Sequence, residues 1–378
     1  MTIVSVSHTV SSIEDMASGP AHSVTGLARA QSETGATVKL YSLGDPLASN
    51  STCYEDRRFP NSMSAIPLLN RLGVSGPMQK VLSEGVTDII HTHGLWMLPN
   101  IYRSTRSSFV ISPRGMLSSV ALSYSPRKKL LFRILFQDRA LTDAALFHAT
   151  ADTEYDDIRR SGIQQPVAII PNGIDIPEMK RSADFTSRRE VLSLGRIHKK
   201  KGLVSLIRAW AKVCDAFPDW QLRIVGPDAD GHVRELEELI RKLGLKTVSI
   251  EPPIFGDDKI TLMSSVDLFV LPTLSENFAM TVAESLASGV PVISTKGAPW
   301  AGLETNSCGW WIDHGVEPMA VTLAKAMTLP QEARIDMGKR GRKWMSEEFG
   351  WSSIAAKMIS TYAWLLGHED RPAWVKKN

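Results

Sequence analysis

Short apolar runs alternate with amphipathic stretches along nearly the whole chain, the pattern that builds parallel sheets covered by helices. In the first half the spacing predicts strands over 3–7, 37–42, 88–91, 109–112, 145–148 and 167–170. In the second half it predicts strands over 191–194, 221–225, 248–250, 268–271, 290–294 and 310–312. The stretch from Pro46 to Pro77 is rich in turn formers, has weak periodicity and reads as a mobile surface excursion. Residues 318–366 read as nearly all helical. Pro171-Asn172-Gly173-Ile174-Asp175-Ile176-Pro177 breaks the pattern, and the charged run over 180–190 after it reads as a linker. The expected fold class is therefore α/β, with two doubly wound domains in tandem over 1–178 and 187–354. Such domains bind ligands at the carboxyl ends of their strands, so two facing sheets would leave a cleft between them.

The most informative stretch is Ser275-Glu276-Asn277-Phe278-Ala279-Met280-Thr281-Val282-Ala283-Glu284. It follows an apolar strand ended by Pro272 and opens a helix stopped by Gly289. Glu276 then lies on the loop and Glu284 inside the helix. The first-turn amides between them have no intrahelical partner and favour an anion, typically phosphate. A phosphate flanked by two carboxylates suggests a nucleotide whose sugars carry hydroxyls to be held.

Further clusters fall at predicted strand ends. Gly195-Arg196-Ile197-His198-Lys199-Lys200-Lys201-Gly202 can neutralise a diphosphate, although a basic turn of this kind is often only a solvated turn. Gly226-Pro227-Asp228 ends the next strand and would pass near the nucleotide, and Glu251-Pro252-Pro253 could border its base. In the first half, His91-Thr92-His93-Gly94 closes one strand and Ser112-Pro113-Arg114-Gly115-Met116 the next. The two histidines are expected on opposite faces of their strand, which argues against a shared metal. His91 reads as structural and His93 as facing the cleft.

Composition narrows the classes. A chain of 378 residues with 43% hydrophobic content can bury two cores. A net charge of +3 gives no reason to expect nucleic acid. Cys53, Cys214 and Cys308 lack metal-ligand spacing and fit a reduced, cytoplasmic setting. The N-terminus has no basic start and no long apolar run, so no signal peptide is expected, and nothing approaches the ~20 apolar residues of a membrane span.

Together these residues resemble glycosyltransferase family 4, retaining enzymes with the GT-B fold, and the likeness runs nearly end to end. Its most specific part is the Glu276/Glu284 pair with Phe278 and the following Ala-Ser-Gly-Val-Pro-Val-Ile. Gly195-Arg196 with Lys201-Gly202 comes next, then Pro171-Asn172-Gly173-Ile174-Asp175. The run His91 to Trp96, Ala298-Pro299-Trp300 and Cys308-Gly309-Trp310-Trp311 resemble the branch that builds bacterial surface polysaccharides. The resemblance implies a first domain for the acceptor and a second for a nucleotide diphosphate sugar, UDP- or GDP-linked. It also implies a C-terminal helix, around 351–366 and bounded at 355–378 in the domain division, packing back on the first domain. Arg196 and Lys201 would hold the diphosphate, Glu284 the ribose, and Glu276 the transferred sugar. Asn277, Phe278, Ala279, Met280 and Thr281 would meet the phosphates. The family's N-terminal loop carries paired glycines, whereas Ser18-Gly19-Pro20 keeps only Gly19 as a donor contact. Many members have a histidine where this chain has Arg114, so Arg114 could serve an acceptor phosphate or the leaving group, with His93 nearest to the histidine's role. No metal or cofactor is expected, because fixed cations meet the diphosphate. A sugar-nucleotide epimerase, a phosphorylase and a non-catalytic partner subunit of a polysaccharide assembly complex are the rival readings. The intact carboxylate pair argues against the last.

The run Ser125-Pro126-Arg127-Lys128-Lys129-Leu130-Leu131-Phe132-Arg133-Ile134-Leu135-Phe136-Gln137-Asp138-Arg139 is basic and apolar at helical spacing. One reading packs Leu131, Ile134 and Leu135 on the sheet with the basic face in water. The other lays the helix on an anionic membrane near a polyprenyl-linked saccharide acceptor, peripheral on the inner face of the cell membrane.

Overall fold

All twelve strands expected from apolar runs are present, shifted by at most a few residues, and two more lack such a run. The computed structural model describes residues 4–13, 19–45, 53–178 and 189–377, so the charged linker largely lies outside the described residues. The chain divides into two units, Met1–Gly173 with Trp351–Asn378, and Ile174–Gly350.

The first unit holds β1 (Ser5–Val10), β2 (Thr37–Leu43), β3 (Glu55–Phe59), β4 (Ile89–His93), β5 (Ser108–Ser112), β6 (Leu146–Ala149) and β7 (Val167–Ile169). The second holds β8 (Arg189–Leu194), β9 (Trp220–Val225), β10 (Val248–Glu251), β11 (Leu268–Leu271), β12 (Val292–Thr295) and β13 (Gly309–Ile312). A last strand, β14 (Val375–Lys376), returns to the first sheet. The sheet orders are β14-β7-β6-β5-β4-β1-β2-β3 and β10-β9-β8-β11-β12-β13. All pairings are parallel except β14 with β7. Central strands such as β11 and β12 are buried throughout, because helices cover both faces. In each sheet the order reverses beside the unit's first strand, between β1 and β4 and between β8 and β11. Loops leaving these neighbours diverge to opposite faces and open a crevice there.

Three expectations need correction. Residues 46–52 lie outside the described residues, but the rest of the supposed excursion is built into the first unit. It supplies β3, paired with β2, and the helices Pro67–Leu72 and Gly76–Glu84. Glu55, Asp56, Arg57 and Arg58 hide this strand from a search for apolar runs. Its place at the sheet edge explains them, since edge strands carry charge. At the C-terminus the helix runs over Trp351–Leu365, matching the reading around 351–366, and does not continue to 378 as the 355–378 bounds had it. It packs on the Gly19–Glu33 helix, and Trp351 sits so close to Gly26 and Gly173 that a Cβ on either would come within 2.2 or 2.1 Å of its ring. The chain then turns and Val375 pairs with Ala168.

The third correction concerns residues 126–143. They form Pro126–Phe132, a π-helical turn over Arg133–Gln137, and Asp138–Asp143, in one continuous run. The wider turn brings Phe132 and Gln137, five residues apart, to the same buried side. Leu131, Ile134 and Leu135 are left exposed, so the reading that packs them on the sheet is wrong.

Candidate active site

In the second unit the reversal of strand order brings the basic loop and the carboxylate loop together. The first leaves β8 and the second leaves β11, its hydrogen-bonded neighbour. Leu274 N–H donates to the Lys200 carbonyl at 2.9 Å, which stitches the loops. Lys201 Nζ donates to Glu276 Oε1, and Thr273 Oγ1 donates to the same oxygen at 3.3 Å. The Glu276 amide is held by the Gly297 carbonyl at 2.7 Å. Burial first, opposed by Glu276 and then reinforced by Lys201 and Arg196, holds Lys200 below the usual lysine range. Arg196 is exposed and forms no ion pair among the described residues. Gly195, Arg196, Lys201 and Pro272 line a small pocket at this point.

Two glycines make the approach possible. Gly202 has φ 69°, and a Cβ there would lie 2.1 Å from the Pro272 carbonyl oxygen. Gly226 passes so close to Gly195 that its Cβ would lie 1.9 Å from the Gly195 oxygen. Gly202→Ala is therefore expected to destabilise the second unit by roughly 2–4 kcal/mol, through backbone strain and a clash that no side-chain movement relieves. A denaturant titration checks this, and an unchanged midpoint would show that the loops do not need this contact.

The carboxylate loop enters the Met280–Ala287 helix through Ala279, a non-glycine residue at φ 65°. Such strain persists only where the surroundings impose it. Here Trp300 Nε1–H donates to the Phe278 carbonyl at 2.5 Å, and the Phe278 ring packs on the Trp300 ring at 5.2 Å. The amides of Met280 and Thr281 lie in the first turn, where the helix offers them no acceptor. Glu284 lies one turn on, and Lys259 Nζ sits between its oxygens, 2.7 Å from Oε1 and 2.6 Å from Oε2. Sequence reasoning missed Lys259, which comes from the Gly256–Ser265 helix and has no spacing signal linking it to Glu284. Glu251 does not stand free beside a base: Arg223 engages both its oxygens, at 2.9 and 2.7 Å.

In the first unit Gly19 begins a helix, and residues 14–18 before it lie outside the described residues. The expectation that His91 and His93 face opposite ways is wrong. Residues two apart on a strand share a face, and the two rings lie 4.2 Å apart. His8, in register with His91, joins them, and ligand atoms of His8, His91 and His93 lie within 4.8 Å of one another. His93 is 2% exposed with both ring nitrogens engaged, so it presents no free nitrogen to a substrate.

The partners fix the protons. Arg114 can only donate, so His93 Nδ1 accepts from it at 2.9 Å. His93 Nε2–H then donates to His8 Nδ1 at 2.9 Å, and His8 Nε2–H to Gln31 Oε1 at 2.7 Å. A second chain starts from His148 Nε2–H, which donates to the Ile170 carbonyl at 2.8 Å. His148 Nδ1 therefore accepts from Ser112 Oγ at 2.7 Å, Ser112 accepts from His91 Nε2–H at 2.7 Å, and His91 Nδ1 accepts from Tyr362 at 2.6 Å. A cation between His8 and His93 would need the His93 Nε2 proton removed while Arg114 still donates to Nδ1. The wiring therefore favours a hydrogen-bond chain over a metal centre.

Burial pulls His8 to about 4 and His148 to about 3, and holds His91 and His93 well below the usual histidine range. Arg114, at φ 56°, also donates to Asn172 Oδ1 at 2.5 Å, which gives the asparagine of the Pro-Asn-Gly motif a role that the sequence did not disclose. Burial lowers the Arg114 guanidinium to about 10, opposed by Glu154 and Tyr362. Its Nε has no hydrogen-bond partner among the described residues.

Comparison with known proteins finds relatives of both units. The family model for glycosyl transferases group 1 matches residues 175–344, and that for the glycosyl transferase 4-like domain matches residues 18–173. The chain is 22% identical over 375 residues to a GDP-mannose:cellobiosyl-diphosphopolyprenol alpha-mannosyltransferase of Xanthomonas campestris, covering 96% of this chain and 97% of that one. It is 27% identical over 254 residues to a D-inositol 3-phosphate glycosyltransferase of Corynebacterium kroppenstedtii, covering 61% of this chain and about half, 52%, of that one. The structure of HepE from Anabaena in complex with UDP and glucose superposes with a TM-score of 0.72 at 17% identity, over 95% of this chain and 99% of that one. Two parallel-sheet units and these matches identify a GT-B fold, and the chain belongs to the glycosyl transferases group 1 with a glycosyl transferase 4-like first domain.

Proposed function

We propose that this glycosyltransferase acts with retention, moving a sugar from a UDP- or GDP-sugar to a saccharide or polyprenyl-linked saccharide in surface polysaccharide synthesis. The observation that carries the reading is the meeting of the Lys201/Glu276 pair with the open first turn of the Met280–Ala287 helix. Cleaving the bond to the anomeric carbon leaves a charged diphosphate and an oxocarbenium-like sugar. Arg196, Lys201, the glycine backbone at 195 and 226, and the amides from Phe278 to Thr281 would stabilise the diphosphate. Glu276 would orient the sugar, and Glu284, with its charge balanced by Lys259, would hold ribose hydroxyls. The leaving phosphate would take the acceptor's proton on the same face. The first unit would bind the acceptor, with Arg114 offering its guanidinium to an acceptor phosphate. His93 is then a positioning residue that acts through Arg114.

The names of the relatives support the substrate classes: GDP-mannose and a diphosphopolyprenol for the Xanthomonas protein, UDP and glucose for HepE. The reaction needs cytoplasmic nucleotide sugars, which places the protein on the inner side of the cell membrane in this reading. A thermal-shift screen against nucleoside diphosphates tests it, since a ligand at about 100 times its Kd stabilises by about 2.7 kcal/mol. One base is expected to raise the melting temperature above the others, and its sugar conjugate to be slowly hydrolysed. NMR of the released sugar should show the donor's anomeric configuration first. No shift with any nucleotide would remove the donor assignment, and an inverted product would remove retention.

A further inference from the structure

We propose that the helical segment over residues 126–143 seats the first unit on an anionic lipid bilayer, with Leu130, Leu131, Ile134, Leu135 and Phe136 entering the boundary between headgroups and acyl chains. Leu130, Leu131, Ile134 and Leu135 are 59%, 60%, 65% and 59% exposed, and Phe136 is 39% exposed. Among the described residues, seven of the fifteen exposed large apolar side chains fall between Val120 and Phe136. Scattered apolar residues need no explanation, but a contiguous patch does. The patch is a product of backbone geometry. Because the π turn spends its inward side on Phe132 and Gln137, the neighbouring leucines and Ile134 have no protein surface left to cover.

Charge decides which partner fits. Residues 126–143 carry five cations against two carboxylates. Both carboxylates are already used, Asp138 by Arg133 and Asp143 by Arg103 and Arg139. Arg127 and Lys128 are exposed, lie three and two residues before Leu130 and have no carboxylate partner among the described residues. Exposed leucines flanked by unneutralised cations match a surface of anionic headgroups over hydrocarbon. No helix among the described residues is long and apolar enough to cross a membrane, so the segment lies in the interface and does not span it. The proposal deepens the functional reading, resting on it only for the purpose of the contact: a polyprenyl-linked acceptor sits in a bilayer.

Flotation of the full chain with vesicles tests it, using phosphatidylcholine alone and phosphatidylcholine containing phosphatidylglycerol. Binding is expected only to the anionic vesicles, weakened by salt. Replacing Leu131→Ser, Ile134→Ser and Leu135→Ser together should cut vesicle binding about tenfold or more without lowering the melting temperature. Arg127→Gln with Lys128→Gln should remove the preference for phosphatidylglycerol, and it decides the matter even if the triple variant folds poorly. Absence of binding to either vesicle, or wild-type binding by both variants, would overturn the proposal. So would a lipid-free dimer in the ultracentrifuge that the triple variant dissolves, because the face would then belong to a second copy. Donor hydrolysis without lipid separates the two readings. Vesicle binding with no hydrolysis would sink the transferase and leave the lipid contact, and the reverse result would do the opposite.

Discussion

Glu276→Gln is expected to lower donor turnover by about 100- to 1000-fold while leaving nucleoside diphosphate affinity near that of the wild type. The proposed role of Glu276 is with the sugar, so the nucleotide should not sense its charge directly. Lys201→Ala should lose a comparable factor in rate and also bind the diphosphate more weakly, because its ammonium would face the leaving group. The two side chains touch, so the double variant should lose less than the product of the single losses. Turnover by nucleotide release and affinity by calorimetry separate these outcomes. Wild-type rates in both single variants would remove the site, and fully multiplicative losses would show that the pair does not work as a unit.

Acid should unfold the first unit well before the second. His8, His91, His93 and His148 are buried neutral, with pKa values lowered from 6.5 chiefly by burial. Once unfolded, each takes up a proton below about pH 6.5. The unfolded chain then binds more protons than the folded one, so stability is complete above that pH and is lost as pH falls through it. The loss continues until the folded rings titrate, His8 at about 4 and His148 at about 3. Each ring contributes up to about 1.4 kcal/mol per pH unit, so four remove roughly 4 kcal/mol across the first unit of pH below 6.5. Against a typical domain stability of about 5–15 kcal/mol, that puts unfolding near pH 5. Hydrogen exchange read by mass spectrometry resolves the two units. First-unit protection that holds down to about pH 4 would show that the rings are not neutral by burial.

The loops of the second unit's candidate site could be placed from the sequence, and the first-unit polar cluster could not. Glu276, Lys201, Gly195 and Gly226 each sit where a local strand signal ends, so their positions followed from apolar runs and turn residues alone. Lys259 was missed because its pairing with Glu284 depends on how one helix packs beside another. Setting His91 and His93 on opposite faces broke the two-residue period of a strand, which the sequence does carry, whereas their burial depends on the Gly19–Glu33 and Trp351–Leu365 helices, which supply Gln31 and Tyr362 from distant parts of the chain. Glu55 to Arg58 gave no strand signal, since an edge strand needs no apolar face.

Residue order alone set the local pattern: apolar runs alternating with stretches of period 3.6, the stops at Pro272 and Gly289, and the chemistry at strand ends. Those features depend on neighbours along the chain, and spacing records them. The tertiary structure decided which loops meet, which rings are buried, and that residues 126–143 turn their leucines outward. These depend on strand order, on helices arriving from remote segments and on one widened helical turn, none of which leaves a periodic trace in the residues involved.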